Sequence, residues 1–147
     1  RDTGWYAGFS ALESGAGGVP YAKDGSRFLG ATFDVTALYR FNAVQDWLEA
    51  EGWTVAKMLT HVRKIERAFL AAIDRTNGPL HSRMLLLPDD AARGRFLAFR
   101  TRDAAIVTEA LLKKNAIVDH RGDAMRVGFG IYHSQDDAAK LAELLAN

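Results

Sequence analysis

The stretch MRVGFG, residues 125–130, places one arginine in a segment that otherwise has the pattern of a buried strand. Side chains alternate between the two faces of a strand, so Met125, Val127 and Phe129 point to one face. Arg126 points to the opposite face together with the glycines, and glycine inside a strand usually marks the close approach of a ligand or of another backbone. A buried arginine needs a partner, and its planar fork suits a carboxylate. The pattern therefore indicates carboxylate recognition by Arg126.

The origin of that carboxylate stays open on the pattern alone. Arg126 could form an ion pair within the chain, with Asp119 on the preceding predicted strand or with Asp123 in the loop between the two strands. It could equally hold the carboxylate of a bound ligand, because a guanidinium offers the same bidentate geometry to both.

Other kinds of chemistry find little support in the residue types. The four histidines are His61, His81, His120 and His133. They show no ligand spacing with one another or with a carboxylate, so we expect no metal site. The absence of cysteine excludes disulfides, thiolate ligands and a cysteine nucleophile within this chain. The sequence also contains neither a Walker-type phosphate loop nor a GxSxG motif.

Composition indicates an ordinary globular protein. The 147 residues are 48% hydrophobic and 25% charged, and the formal net charge is +1. Because the charges are balanced and interspersed, we expect no nucleic-acid partner. No apolar run approaches the length of about 20 residues that would span a bilayer, so we expect no membrane partner either. The lack of cysteine favours a cytoplasmic location.

In the first half of the chain the pattern of apolar residues changes near residue 34. Residues 1–33 are rich in glycine and follow no helical or strand period, which predicts an irregular segment. A helical pattern starts at Asp34 and stops near Gly52. A second helix is predicted from Thr54, a plausible N-cap, with a long apolar stripe that ends near residue 76.

The second half mixes strands with helices, and these elements must position Arg126. Segments 84–87 and 95–100 are predicted to form an antiparallel pair of strands. A helix over 103–114 should stop at Asn115, and strands over 116–119 and 124–129 should follow. Ser134 and Asp137 have the spacing of a capping box that opens the last helix. The predicted fold class is α/β, of α+β type: a small antiparallel or mixed sheet with helices packed on one face, preceded by two helices and an irregular N-terminal segment.

The segment IVDHRGDAMRVGFGIYHSQDD, residues 117–137, resembles the end of the small domain in fold-type I pyridoxal-phosphate enzymes of the class V aminotransferase group. That group includes kynureninases and cysteine desulfurases. The resemblance implies that Arg126 grips the α-carboxylate of an amino-acid substrate, and Tyr132 follows at the expected place. Cysteine desulfurases are disfavoured, because the chain lacks the sulfur-accepting cysteine of that chemistry.

Two further segments resemble the same group. GWYAGF, residues 4–9, is similar to the Gly-Trp-aromatic motif of kynureninases, and SRFLGATFDVTAL, residues 26–38, is similar to the group's Arg-Phe-x-x-Gly-Thr-Pro segment, although residues 31–33 read ATF here instead of Gly-Thr-Pro. The resemblance implies a homodimer that binds pyridoxal 5'-phosphate. In it Trp5 and Thr32 would contact the cofactor phosphate held by the partner subunit.

The resemblance also implies that the chain is one part of an enzyme. The lysine that forms the Schiff base lies upstream of the Gly-Trp motif in this group, and no lysine of this chain has a matching context. Residues 1–33 are therefore expected to be the trailing segment of a large cofactor-binding domain, and 34–147 the C-terminal small domain, inactive alone. We expect a kynureninase-like hydrolase. The alternatives are a class V aminotransferase or epimerase, or a non-catalytic carboxylate-binding or interaction module.

Overall fold

The computed structural model describes residues 21–88 and 91–146 of the chain. In this part of the chain four α-helices accompany one three-stranded antiparallel sheet, which confirms the predicted mixture of helices and a small sheet. The helices are α1 (Thr36–Ala50), α2 (Val55–Ile73), α3 (Ala104–Lys113) and α4 (Gln135–Ala146). The strands are β1 (Phe96–Arg100), β2 (Asp119–Arg121) and β3 (Ala124–Gly128). Within the same residues, two short 3₁₀ helices cover Gly25–Phe28 and Ser82–Met84.

The chain divides into two compact units at the end of α1. One unit ends at Glu51 and the other begins at Gly52, so α1 belongs to the first unit and the sheet to the second. Gly52 adopts a φ of 65°, the left-handed conformation that commonly ends a helix, as its position predicted. This division by compactness does not show whether residues 1–33 belong to a cofactor-binding domain. The division at residues 33 and 34 therefore stays a prediction.

Helix α2 supplies one wall of the core of the second unit. The hydroxyl of Thr54 accepts a hydrogen bond from the backbone N–H of Lys57 at 3.2 Å, which confirms the predicted N-cap. The apolar stripe of the helix is buried, and at its centre the ring of Phe69 meets the rings of Phe99 and Phe129 edge-on, with centroid distances of 6.2 and 5.6 Å. These contacts join α2 to β1 and to the residue that follows β3.

The sheet has the strand order β1-β3-β2, so β3 is the central strand. On its inward face Met125 and Val127 lie opposite Phe99 and Leu97 of β1, and all four side chains are buried. Helices α2, α3 and α4 complete this core. The alternation predicted for residues 125–130 is therefore confirmed: one face of β3 is packed and the other carries Arg126.

Two predicted strands have different limits in the structure. Segment 84–87 forms the end of a 3₁₀ turn and a single antiparallel bridge, between Leu85 and Phe99, instead of a full strand beside β1. The strand predicted at 116–119 begins only at Asp119 and continues to Arg121. The extension to Arg121 follows from the turn: Gly122 adopts a φ of 57°, which allows a two-residue connection and lets pairing continue to the end of the hairpin.

The ends of α3 and α4 follow their local sequence signals. Asn115 adopts a φ of 60° just after α3, as expected for a residue that stops a helix. Before α4, the backbone N–H of Ser134 donates to the carboxylate of Asp137 at 2.8 Å, and the N–H of Asp137 donates to the Ser134 hydroxyl at 3.3 Å. This reciprocal pair is the predicted capping box, and it fixes the chain that leaves the sheet after β3.

A buried ion pair links α2 to the start of β1. Glu66 is fully buried, and Arg93 donates to its two carboxylate oxygens at 3.0 and 2.9 Å. The same guanidinium donates to the carbonyl of Phe96 at 2.9 Å. The pair therefore sets where β1 begins relative to α2.

We predict that Glu66→Gln lowers the free energy of unfolding by about 3 kcal/mol, because a neutral amide cannot neutralise the nearly buried guanidinium of Arg93. Urea unfolding followed by circular dichroism measures the change. The matched control is Glu109→Gln, which removes an exposed pair with Lys113 within α3 and should change stability by less than about 0.5 kcal/mol. Equal losses for the two variants would contradict the prediction.

Candidate carboxylate-binding site

Arg126 lies at the centre of the outward face of the sheet. In the register of the three strands it is directly opposite Ala98 on β1 and Asp119 on β2. Residues that are directly opposite in antiparallel strands project to the same face, so these three side chains are neighbours. The sheet therefore presents the guanidinium on the face opposite the buried side chains of Met125 and Val127.

Arg126 forms a bidentate ion pair with Asp119. Its Nε donates to Oδ1 of Asp119 at 2.7 Å, and its Nη2 donates to Oδ2. Of the two acids considered from the sequence, Asp119 is thus the partner. Asp123 instead lies 3.7 Å from the Nε of Arg100. The pair is not closed off, because 31% of the Arg126 side chain and 55% of the Asp119 side chain remain exposed.

The guanidinium borders a shallow depression of about 350 Å³. Its lining consists of Phe96, Ile117, Val118, Asp119, Arg126 and Gly128. The Cζ atom of Arg126 lies 5.7 Å from the centre of the Phe96 ring, within the range of a cation–π contact. The rings and aliphatic groups here are open to solvent, since Phe96 is 40% and Ile117 is 85% exposed. The depression suits a ligand that joins a carboxylate to an apolar group.

The two glycines after Arg126 have different roles. A Cβ added at Gly128 would meet the Arg95 carbonyl oxygen at 3.6 Å, an ordinary contact, so packing within the chain does not require glycine there. The space it leaves belongs to the depression. A Cβ at Gly130 would come within 2.5 Å of the Tyr132 ring, so that glycine makes room for the tyrosine. Only Gly128 therefore supports the idea that glycines clear the face for a ligand.

Two histidines anchor the loop between β3 and α4. The N–H of Gly130 donates to Nδ1 of His133 at 2.8 Å. The His133 carbonyl accepts from Nε2 of His61, on α2, at 3.0 Å. These contacts tie the loop to α2, while the ring of Tyr132 lies against the ring of His133, with centroids 4.4 Å apart, and is largely exposed. Among the described residues, no group of three or more His, Asp or Glu side chains could hold a metal ion.

The ion pair also changes the protonation equilibria of its members. Hydrogen bonds from Arg126 lower the pKa of Asp119 from its ordinary value of 3.8. Burial opposes this shift, and the charges of Arg126, Arg121 and His120 lower the pKa further. The hydrogen bonds to Asp119 in turn raise the pKa of Arg126. Both groups are therefore charged at neutral pH.

The structure describes only one of the two residues predicted to contact a cofactor. Thr32 is exposed, in the segment between the first 3₁₀ helix and α1, and its hydroxyl has no hydrogen-bonding partner among the described residues. Trp5 lies outside the described residues. Both contacts with a cofactor phosphate stay predictions. In the described part of the chain, no helix has the length and apolar character needed to cross a membrane.

Phe96 and Ile117 are residues of the depression that the sequence did not single out. Phe96 belongs to an almost wholly apolar strand, FLAFR, where Leu97 and Phe99 are equally good candidates for the core. Phe96 shares the face of Arg126 because it lies two residues before Ala98, the register partner of Arg126 on β1. That register depends on long-range pairing and is not visible in the local pattern.

We predict that the carboxyl group of Asp119 titrates below pH 3.8, because Arg126 stabilises its charged form. Since the pKa is lowered by folding, the contribution of this pair to stability is complete above that ordinary value and is lost as the pH falls through the lowered pKa. A carbon-detected NMR titration measures the midpoint. Arg126→Ala should move it towards 3.8, whereas Arg100→Ala should leave it unchanged; a midpoint insensitive to Arg126→Ala would refute the assignment.

Comparison with known proteins identifies a family to which most of the second unit is similar. The family model of the kynureninase C-terminal domain matches residues 60–145, which contain all three strands, the Arg126–Asp119 pair and the depression beside it. No curated protein sequence matches the chain. The match covers more than half of the 147 residues. The chain belongs to the kynureninase C-terminal domain family.

Proposed function

We propose that the protein containing this chain is a pyridoxal-phosphate-dependent enzyme of the kynureninase type, in which Arg126 holds the α-carboxylate of an amino-acid substrate. The observation that carries the proposal is the position of Arg126. It lies within the family match, on the open face of the sheet, with an apolar depression beside its guanidinium. The ring of Phe96 on one side supports a substrate whose side chain is aromatic or otherwise apolar.

The residues of this chain fit a supporting role towards the cofactor. When bound, pyridoxal 5'-phosphate supplies the electron sink that makes negative charge at the substrate Cα accessible. The exposed hydroxyl of Thr32 is open to a phosphate oxygen. The lysines do not match the context of the family's cofactor lysine, and Lys57 and Lys114 donate to backbone carbonyls at 2.8 and 2.9 Å. The covalent attachment is therefore proposed to come from another part of the enzyme.

We further propose a cytoplasmic homodimer in which Trp5 and Thr32 contact the phosphate bound by the partner subunit. This arrangement follows the resemblance of GWYAGF and of residues 26–38 to kynureninase segments. The GWYAGF motif also favours hydrolysis over amino-group transfer. The reaction would cleave the bond between Cβ and the side-chain carbonyl of kynurenine. Arg126 contributes by orientation: a bidentate clamp on the α-carboxylate limits how the bond to be broken is presented.

We predict that Arg126→Ala in the complete enzyme lowers kcat/KM for kynurenine by about 100-fold or more, mainly through a higher KM. The reason is that the substrate carboxylate loses two charge-assisted hydrogen bonds from the guanidinium. Arg126→Lys should recover only part of the loss, since an ammonium group cannot reproduce the planar fork. Steady-state kinetics with chromatographic detection of the aromatic product and alanine measures the effect.

The matched control is Arg100→Ala, which removes another arginine from the same face of the sheet, 69% exposed and paired with Asp123. It should leave kcat/KM nearly unchanged. Equal losses for the two alanine variants would contradict the proposed role of Arg126. Formation of a new amino acid from an added 2-oxo acid, without cleavage of kynurenine, would identify the enzyme as an aminotransferase.

A further inference from the structure

We propose that Asp119 is a positioning residue for substrate binding: it holds the Nε–Nη2 edge of Arg126, so that the Nη1–Nη2 end of the guanidinium is presented to the substrate carboxylate. The inference rests on the proposed function, because it assigns how the carboxylate site of that enzyme is built. It also makes the ion pair a component of the site and not an alternative to it.

The geometry leaves a complete fork free. A guanidinium carries five N–H donors. Asp119 uses the one on Nε, at 2.7 Å, and one of the two on Nη2. Within the described residues nothing accepts from Nη1, and the second donor of Nη2 points to the same end of the group. One donor on each terminal nitrogen is the requirement for a parallel, bidentate contact with a second carboxylate.

Two neighbours restrict the orientation of Arg126 in different directions. Asp119 fixes rotation within the plane of the guanidinium, because both of its oxygens are engaged. Phe96 lies within cation–π range of the guanidinium, with its ring centre 5.7 Å from Cζ, and limits motion on that side. Asp119 itself is held by its register position opposite Arg126, next to the tight turn at Gly122. A long side chain on an open sheet face is thus ordered before any ligand arrives.

Prior ordering should favour binding in spite of the negative charge of Asp119. Ordering a rotamer-rich side chain at the moment of binding lowers affinity by about threefold to tenfold. Asp119 removes that cost in advance. Its repulsion of a second carboxylate is weakened because 55% of its side chain is in contact with water, which screens the charge. The substrate also approaches a different edge, so Asp119 need not leave.

The experiment compares Asp119→Asn, Asp119→Glu and Asp123→Asn in the complete enzyme. Asp123→Asn is the matched control, since it removes the same charge from the same hairpin at a residue that pairs with Arg100. KM and kcat are measured for kynurenine, and binding is measured for kynurenine and for its α-carboxamide. Asp119→Asn should raise KM about tenfold and change kcat by less than about twofold. It should weaken binding of the acid but not of the amide.

Asp119→Glu retains the carboxylate and should restore part of the affinity, and Asp123→Asn should match the unmodified enzyme. A fall in KM with Asp119→Asn would show that Asp119 competes with substrate, and an unchanged KM would show that it does not orient Arg126; either result overturns the proposal. In an Arg126→Lys background, Asp119→Asn should lose its effect, and an undiminished effect would show that Asp119 does not act through Arg126.

The failure of the proposed function gives a different result. If the unmodified enzyme binds acid and amide equally, or Arg126→Lys leaves KM unchanged, the carboxylate site is absent and both proposals fall. If binding depends on Arg126 but not on Asp119, only the positioning role falls. Urea unfolding of each variant separates these outcomes from a loss of fold, because an exposed ion pair contributes little to stability.

Discussion

The register of β3 between β1 and β2 is the constraint on which the rest of the second unit depends. Side chains alternate along a strand, so a slip of one residue would turn Arg126 into the core and place Met125 and Val127 in water. The buried partners Leu97 and Phe99 oppose such a slip on one side of β3, and the tight turn at Gly122 opposes it on the other. The same register places Asp119 opposite Arg126. Core packing and site geometry are therefore consequences of one alignment.

Polar contacts with α2 hold the edges of this alignment. Arg93 joins the buried carboxylate of Glu66 to the carbonyl of Phe96, where β1 begins. At the same end of the sheet, where Phe96 pairs with Gly128, His61 binds the carbonyl of His133 in the loop that follows β3. Helix α2 thus contacts both the strand that supplies Phe96 and the loop that leaves β3. These contacts hold β1 and the loop after β3 from the side of α2, so the face that carries Arg126 is not needed to hold them.

The ion pair of Arg126 and Asp119 illustrates how a structural and a functional role can coincide. Exposed ion pairs contribute at most about 1 kcal/mol to stability. The pair with Asp119 therefore stabilises the fold too little to account for an arginine at position 126. Its bidentate geometry nevertheless orders the guanidinium and uses only one of its edges. The ion pair and a ligand clamp, which the sequence pattern presents as alternatives, use different hydrogen atoms of the same group and are compatible.

Local signals in the sequence were sufficient to predict the helices, the end of α3 at Asn115 and the capping box before α4. They also predicted the two faces of residues 125–130. Each of these features depends on neighbours within a few positions along the chain. The sequence alone could not choose between Asp119 and Asp123 as the partner of Arg126, limit β2 to Asp119–Arg121, or place Phe96 beside the guanidinium. It also predicted a full strand over 84–87, where the structure has a single bridge. Those features are set by pairing between distant segments, and only tertiary structure decides which residues meet across a sheet.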